Sequence, residues 1–471
     1  MSRAEPKTRD GSIPTIFAAV AARIPSRLEL AAKLMGDYHD APIHQVTVAN
    51  VMSGMRGLPS MLWEISETSS TGVKYHGKTL QELQSILPKW PGSTQFSPEA
   101  MLWFLYSARA PTQAELQAFA ADLCSRADIP PEAQRFCDGL AADMPAVTQL
   151  IMVLAFCSRY SKLGAAISSG VAKAEHWRYA LDDALDAQVR FPMIVARLHA
   201  NVYKTGAREA VLSPTSDLAH NFARRMGKED DTDFVEFMRL SWSIHMDHGT
   251  NVSAHTMRLT SSAWTDTYLT LSAGTIAAIG PLHVKAITDS VQYNLTLSAA
   301  LGPDTSDDAI VAHVSALLAQ RKIIPGYGHA LLRVVDPRLA LVGRFLDTHP
   351  ACNPATAAFL ALIRRSHTVV PELLRARVPR MQNLHANVDA LSGCVLHAYG
   401  VPLDFLMPVM GSGRAMGFLV QHVWDKGVFH AAFTADTGSI YLALGLPLER
   451  PLSLTIDEML VKVGPKIKSR L

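Results

Sequence analysis

Two histidines occupy glycine-flanked segments of this 471-residue chain, Gly280-Pro281-Leu282-His283 and Gly326-Tyr327-Gly328-His329, and an aspartate follows in Asn387-Val388-Asp389. Glycine and proline make such segments turns rather than helix or strand interiors. A ligand can reach a side chain held at a bend together with the neighbouring backbone amides. Two imidazoles and a carboxylate suit proton abstraction beside a carbonyl, with hydrogen-bond donors stabilising the oxyanion that forms. A second group, His245, Asp247, His248, Asn251 and His255, has the residue types of a metal site or of an anion-binding turn. Its histidines equally suit a helix end before Gly249, where they favour the helix dipole. Arg333, Arg338, Arg414 and Arg450 form a third group. Arginine binds carboxylates through paired hydrogen bonds, so convergence of several would imply a di- or tricarboxylate. Each residue also has an ordinary structural reading: His283 as a solvated residue after a turn, Gly326 to His329 as a plain tight turn, Asp389 as the cap of a helix starting near Ala390, and the arginines as surface solubilisers.

Helices must carry most of these groups, because Leu, Ala and Met abound and β-branched runs are short. Apolar spacing predicts a helix from Thr15 to Met35, broken only at Pro25. Alternating stretches from His44 to Val51 and from Val73 to His76 predict a small strand or two. Ser97-Pro98-Glu99-Ala100 opens a helix over Met101 to Ala108, Thr112 one over Gln113 to Arg126, and Asp231 one over Phe234 to Ile244. Further helices are expected at Asp307 to Gln320, Ala355 to Arg365 and Arg414 to Trp424. No internal repeat or low-complexity segment is visible. Residues 285–400 are denser in Pro, Arg and loop signals than their flanks, which suggests a small domain inserted within a large one made of 1–284 and 401–471.

Composition narrows the classes. The length exceeds what one growing core serves, so two domains are expected. Hydrophobic residues at 48 % and charged residues at 18 % suit a globular enzyme. A net charge of +2 with scattered basic residues argues against a nucleic-acid or membrane-surface partner. Five widely spaced cysteines without a CxxC pair read as free thiols in a reducing compartment. The uncharged stretch from Thr267 to Val284 contains Gly274 and a Gly-Pro step, and reads as a buried helix ending in a functional loop rather than a membrane span. Ser469-Arg470-Leu471 differs from the peroxisomal Ser-Lys-Leu address only by a basic-for-basic change, so a peroxisome-type organelle is expected, with the mitochondrial matrix as the alternative.

Taken in order, the segments resemble citrate synthase of the eukaryotic, mitochondrial type. The resemblance rests on Gly54-Met55-Arg56-Gly57, Asp247-His248, Asn251-Val252-Ser253-Ala254-His255, Gly280-Pro281-Leu282-His283, Pro325-Gly326-Tyr327-Gly328-His329-Ala330, Asp336-Pro337-Arg338, Asn387-Val388-Asp389-Ala390, Gly413-Arg414-Ala415 and Pro447-Leu448-Glu449-Arg450-Pro451. It implies an all-α fold of a large and a small helical domain with a cleft between them, a homodimer, and the substrates acetyl-CoA and oxaloacetate, with no cofactor and no metal. It also implies Asp389 as the base, His283 as donor to the thioester oxygen and His329 as donor to the oxaloacetate carbonyl. His248, Arg338, Arg414 and the partner subunit's Arg450 would bind carboxylates, and Arg56, Arg333, Ile323, Ile324 and Gly326 would meet CoA. Three departures stand out. Val284 follows His283 where the family has glycine, which would remove access to positive φ. Leu391 replaces a histidine, and the stretch between Arg414 and Arg450 is longer than usual around His430 to Ala443. The alternatives to citrate synthase are 2-methylcitrate synthase and a catalytically impaired paralogue acting as a binding or assembly subunit.

Overall fold

A computed structural model describes residues 15–42, 44–52, 62–205, 209–249, 251–281, 283–302, 305–329, 331–350 and 353–429. Helices begin where the sequence supplies caps. Ser97 accepts from the amides of Glu99 and Ala100 ahead of Pro98–Ser107, and Thr79 and Thr112 form reciprocal capping boxes with Glu82 and Glu115. Asp231, Asn251 and Asp266 cap Thr232–His245, Val252–Ser262 and Thr267–Ala278 in the same way. The first helix runs through Pro25 as one element, Ile16–Asp37.

The only strands among the described residues are Ser66–Ser69, Gly72–Tyr75 and Lys78–Thr79, paired antiparallel in that order. His76 and Gly77 both have positive φ (45° and 79°), the geometry of a tight two-residue hairpin. The stretch His44 to Val51 forms no strand; the short helix Val48–Met52 lies there instead. Its apolar residues Val46, Val48 and Val51 stay exposed, so no neighbouring strand or buried face rewards an extended conformation.

At the centre lie two long helices, His176–Tyr203 and Leu403–Trp424, packed on each other and buried along most of their length. Around them a continuous core runs from Ile16 to Val428. A second, smaller core joins Leu297, Ile310, Val314, Ile324, Leu362, Val370 and Leu374. The architecture is therefore all-α with two cores, and residues such as Ile287, Val342 and Val395 tie the middle of the chain to the larger one. The uncharged stretch after Thr267 forms Thr267–Ala278 and a turn, and no single helix among the described residues is long and apolar enough to cross a membrane.

One buried polar cluster sets a pH dependence. Glu99 is 1 % exposed and accepts from Ser97 and from the Leu218 amide, beside Asp217, which Arg239 holds at 2.6 Å. Burial, then the Asp217 charge, push the Glu99 carboxyl up to about 7. A carboxyl raised in the folded state stabilises fully at low pH, and that contribution is lost as pH rises through the folded-state value. Between the ordinary glutamate value of about 4.5 and about pH 7 the Tm should therefore fall, and in Glu99→Gln, whose amide oxygen still accepts from Leu218 without a charge, this contribution to the fall should be absent. Equal falls for the two proteins in a thermal melt series would refute this.

Candidate active site

Three turns and one helix crossing build the site. The first turn, Asp247-His248-Gly249, follows Thr232–His245. Asp247 is fully buried, and its Oδ2 accepts from Trp63 Nε1 (3.2 Å), Ser66 Oγ and the Gly249 amide (2.9 Å). Its backbone carbonyl accepts from the Tyr75 hydroxyl at 2.5 Å. The strand hairpin thus fixes the turn that presents His248.

The second turn carries His283, whose Nδ1 lies 3.0 Å from the Ser253 hydroxyl in the first turn of Val252–Ser262. Val284 adopts φ −69° and ψ −21°, right-handed helical values open to any residue, so the expected loss of positive φ costs nothing here. Its side chain is buried and lines a mainly apolar pocket together with Ala278 and Phe418.

The third turn holds His329. Gly326 and Gly328 have φ of 83° and 88°, and a Cβ on Gly326 would lie 2.8 Å from that of Ala390. That close approach lets the segment pair with residues 385–387: the Gly328 amide donates to His385 O and the Asn387 amide to Gly326 O, both at 2.9 Å. Asp389 is thereby brought to the His329 loop. It sits in the single 3-10 turn Val388–Ala390, capped by Asn387, so Asp389 is not itself the cap. The amides of Leu331 and Leu332 both donate to His329 Nδ1 at 3.0 Å. An Nδ1 that accepts leaves the proton on Nε2. The rings of His329 and His248 are 5.3 Å apart.

The arginines come from helices. Arg338 opens Pro337–Thr348 and is clamped by Asp336 through Nε (3.0 Å) and Nη2 (2.7 Å). Arg414 projects from the middle of Leu403–Trp424 where that helix crosses Thr232–His245. A Cβ at Gly413 would stand 2.9 Å from Trp242 Cα, and one at Gly417 would strike the Met246 carbonyl. This small-residue seam seats Arg414 beside the His248 turn, with a buried Nη1 that no described group accepts.

Electrostatically, Arg414 is a charged neighbour of His248, His283 and Asp389 alike. Burial, then Arg414, lower His283 to about 4; burial, then Arg338, lower His248 and His329. All three imidazoles are neutral at neutral pH and can donate without carrying charge. Burial raises Asp389 against the pull of Arg338. Three neutral imidazoles, one carboxylate and two guanidiniums gathered at these turns can take a proton from carbon and hold two carboxylates.

Other expected residues fall differently. Arg56 and Arg450 lie outside the described residues, as does the long stretch around His430 to Ala443. Arg333 is exposed and donates to the carbonyls of Leu331 (2.9 Å) and Leu332 (2.8 Å) and to Gln382. Ile323 is 86 % exposed while Ile324 is buried. His245 points inward, its Nδ1 2.7 Å from Ser241 O, and no metal-ligand cluster of three or more exists among the described residues. The sequence assigns no separate role to Ser253, Asp336 and Asn387, and offers Asp247 only as part of a metal or anion-binding group rather than as the anchor of the His248 turn. Each stands inside a motif already quoted, and the usable signal was its place at or next to a helix cap.

A family description, "Citrate synthase, C-terminal domain", matches residues 54–431. The chain belongs to the citrate synthase family. Members are acyltransferases that convert the acyl group to alkyl on transfer, and this chain is such an enzyme. It is 31 % identical to the mitochondrial citrate synthase of Neurospora crassa, over 92 % of this chain and 89 % of that protein. It is 33 % identical to the mitochondrial 2-methylcitrate synthase of Aspergillus fumigatus, over 94 % and 92 %. The peroxisomal citrate synthase of Saccharomyces cerevisiae is 34 % identical over 88 % and 86 %. In fold the chain is similar to the citrate synthase of Thermoplasma acidophilum, solved with carboxymethyl coenzyme A and oxaloacetate, at TM-score 0.67 and 15 % identity over 86 % of this chain and 98 % of that one.

Proposed function

We propose that this citrate synthase family member condenses acetyl-CoA with oxaloacetate and hydrolyses the resulting citryl-CoA to citrate and CoA. Asp389 takes a methyl proton from acetyl-CoA while His283, backed by the Ser253 hydroxyl, donates to the thioester oxygen and spreads the charge of the enolate. The new carbon–carbon bond forms at the oxaloacetate ketone as His329 Nε2–H donates to its oxygen. His248, Arg338, Arg414 and the partner subunit's Arg450 hold the carboxylates. Arg56, Arg333 and the Ile323 to Gly326 backbone meet CoA, with Arg333 exchanging its present carbonyl partners for phosphate. No cofactor takes part. The observation that carries this reading is His329, whose imidazole is neutral, is committed to the Nε2–H tautomer by two backbone amides, and lies beside His248.

The second reading, 2-methylcitrate synthesis from propionyl-CoA, draws on relatives of that name as similar as those named citrate synthase. One extra methylene changes discrimination by only about 1–3 kcal/mol, so the pocket must be read by assay. Purified protein should release CoA from acetyl-CoA only when oxaloacetate is present, and more slowly from propionyl-CoA. Faster release from propionyl-CoA would select the second reading, and no release from either would leave an impaired paralogue.

A homodimer fits the exposed Met152, Leu259, Leu269 and Ile276 on the helices Ala146–Phe156, Val252–Ser262 and Thr267–Ala278, with Ile279 just beyond the last. Light scattering of the same preparation should give twice 51.2 kDa. The named relatives are mitochondrial or peroxisomal. Where Ser469-Arg470-Leu471 forms the carboxyl terminus, it favours the peroxisome. Deleting it should release a tagged protein to the cytosol, and unchanged import would assign the address elsewhere.

A further inference from the structure

One carboxylate touches both halves of the site. Asp336 is 1 % exposed and caps Pro337–Thr348. Its Oδ1 accepts from the Arg338 amide and from Arg338 Nε, both at 3.0 Å. Its Oδ2 accepts from Arg338 Nη2 at 2.7 Å and from the Val388 amide at 3.2 Å. Every one of these contacts goes either to the arginine that holds substrate or to the amide directly before the base.

Each contact removes a freedom that catalysis could not tolerate. The paired hydrogen bonds take up the Nε–Nη2 edge of the guanidinium, so its plane is fixed and Nη1 is left for a ligand. The Val388 amide is the first donor of an isolated 3-10 turn and is buried, so without Asp336 it would be left unpaired. Pro337 has no N–H to compete for the carboxylate, and its ring disfavours a helical ψ at Asp336, which adopts 120°. The distance in sequence between Arg338 and Val388 is long, and this carboxylate joins them directly.

Building on the assignment of Asp389 as base and Arg338 as carboxylate ligand, we propose that Asp336 is a positioning residue that locks the Arg338 fork and the Asp389 turn into one rigid unit, so that seating oxaloacetate and aiming the base become a single event. The charges facing Asp389 are Arg338, Asp336 and Arg414. Removing the Asp336 charge leaves two arginines unopposed beside the base, which must then titrate at lower pH. Removing the Arg338 charge leaves only Arg414 to oppose Asp336 and must do the reverse.

The test uses the full-length protein and oxaloacetate-dependent CoA release across pH. Asp336→Asn keeps the shape and an oxygen for the helix cap. With an unchanged circular dichroism spectrum, its kcat should fall by about 100-fold, the usual consequence of misplacing a reacting group by an ångström. The acid limb of its kcat profile should also move to lower pH, a change that loss of packing alone would not cause. Arg338→Gln should move the same limb to higher pH. A folded Asp336→Asn protein with kcat within about twofold of the parent, or with an unmoved acid limb, would overturn the proposal. If Asp336→Asn does not fold, Arg338→Gln decides alone, and a limb that stays or moves down counts against the proposal. Failure of the underlying assignment looks different: the parent releases no CoA, or Asp389→Ala keeps its turnover, and the proposal falls with it.

Discussion

Replacing Asp389 by alanine should lower kcat by about 10²- to 10⁴-fold, the range that general base catalysis contributes, while oxaloacetate still binds. The methyl group beside a thioester is a very weak acid, so deprotonation limits the rate unless a base is held against it. Asp389 is placed for this by the pairing of Gly326 and Gly328 with residues 385–387. In the proposed mechanism oxaloacetate is held instead by His248, Arg338 and Arg414, which the substitution leaves in place. Burial raises the Asp389 carboxyl, so the acid-side fall in the parent's activity should come at a higher pH than an ordinary aspartate would give. Steady-state CoA release and calorimetric titration with oxaloacetate check the two halves. Lost oxaloacetate binding in a folded variant, or a kcat reduced less than about tenfold, would contradict the role.

Replacing His283 by alanine should cost about 10²- to 10³-fold in kcat, the worth of one oxyanion donor, or roughly 2.7–4 kcal/mol. The imidazole is suited to that work because it is neutral: burial and Arg414 lower it to about 4, so it stabilises an enolate without first surrendering a charge-balancing proton. Ser253, 3.0 Å from Nδ1, orients the ring, and Ser253→Ala should cost only about 0.5–1.5 kcal/mol, the net value of one hydrogen bond. Ranking matters as much as size. If Ser253→Ala proves as damaging as His283→Ala, the hydroxyl rather than the ring is the essential group.

Much of the site was legible because its chemistry is concentrated in turns. Gly326 and Gly328 are required by positive φ and by the approach of Ala390, and the sequence shows them flanking His329 in plain order. Helix starts were legible for the same local reason, since a cap needs only a short polar side chain and the next three amides. The strand expected at His44 to Val51 failed because strand formation depends on a partner, and alternation within one segment cannot supply one. The glycine expected after His283 suggests positive φ, but the backbone at Val284 is right-handed helical and open to any residue.

The sequence by itself determined the family, the turns that hold the two histidines and the candidate groups proposed to react. Only the tertiary structure decided which groups meet. Arg414 reaches the His248 turn because Gly413 and Gly417 let two helices touch, and Asp336 reaches Val388 because the Gly326 loop pairs with the strand-like stretch before Asp389. Such meetings depend on close packing between segments far apart in the chain, where volume and crossing geometry rule and no local pattern records the outcome.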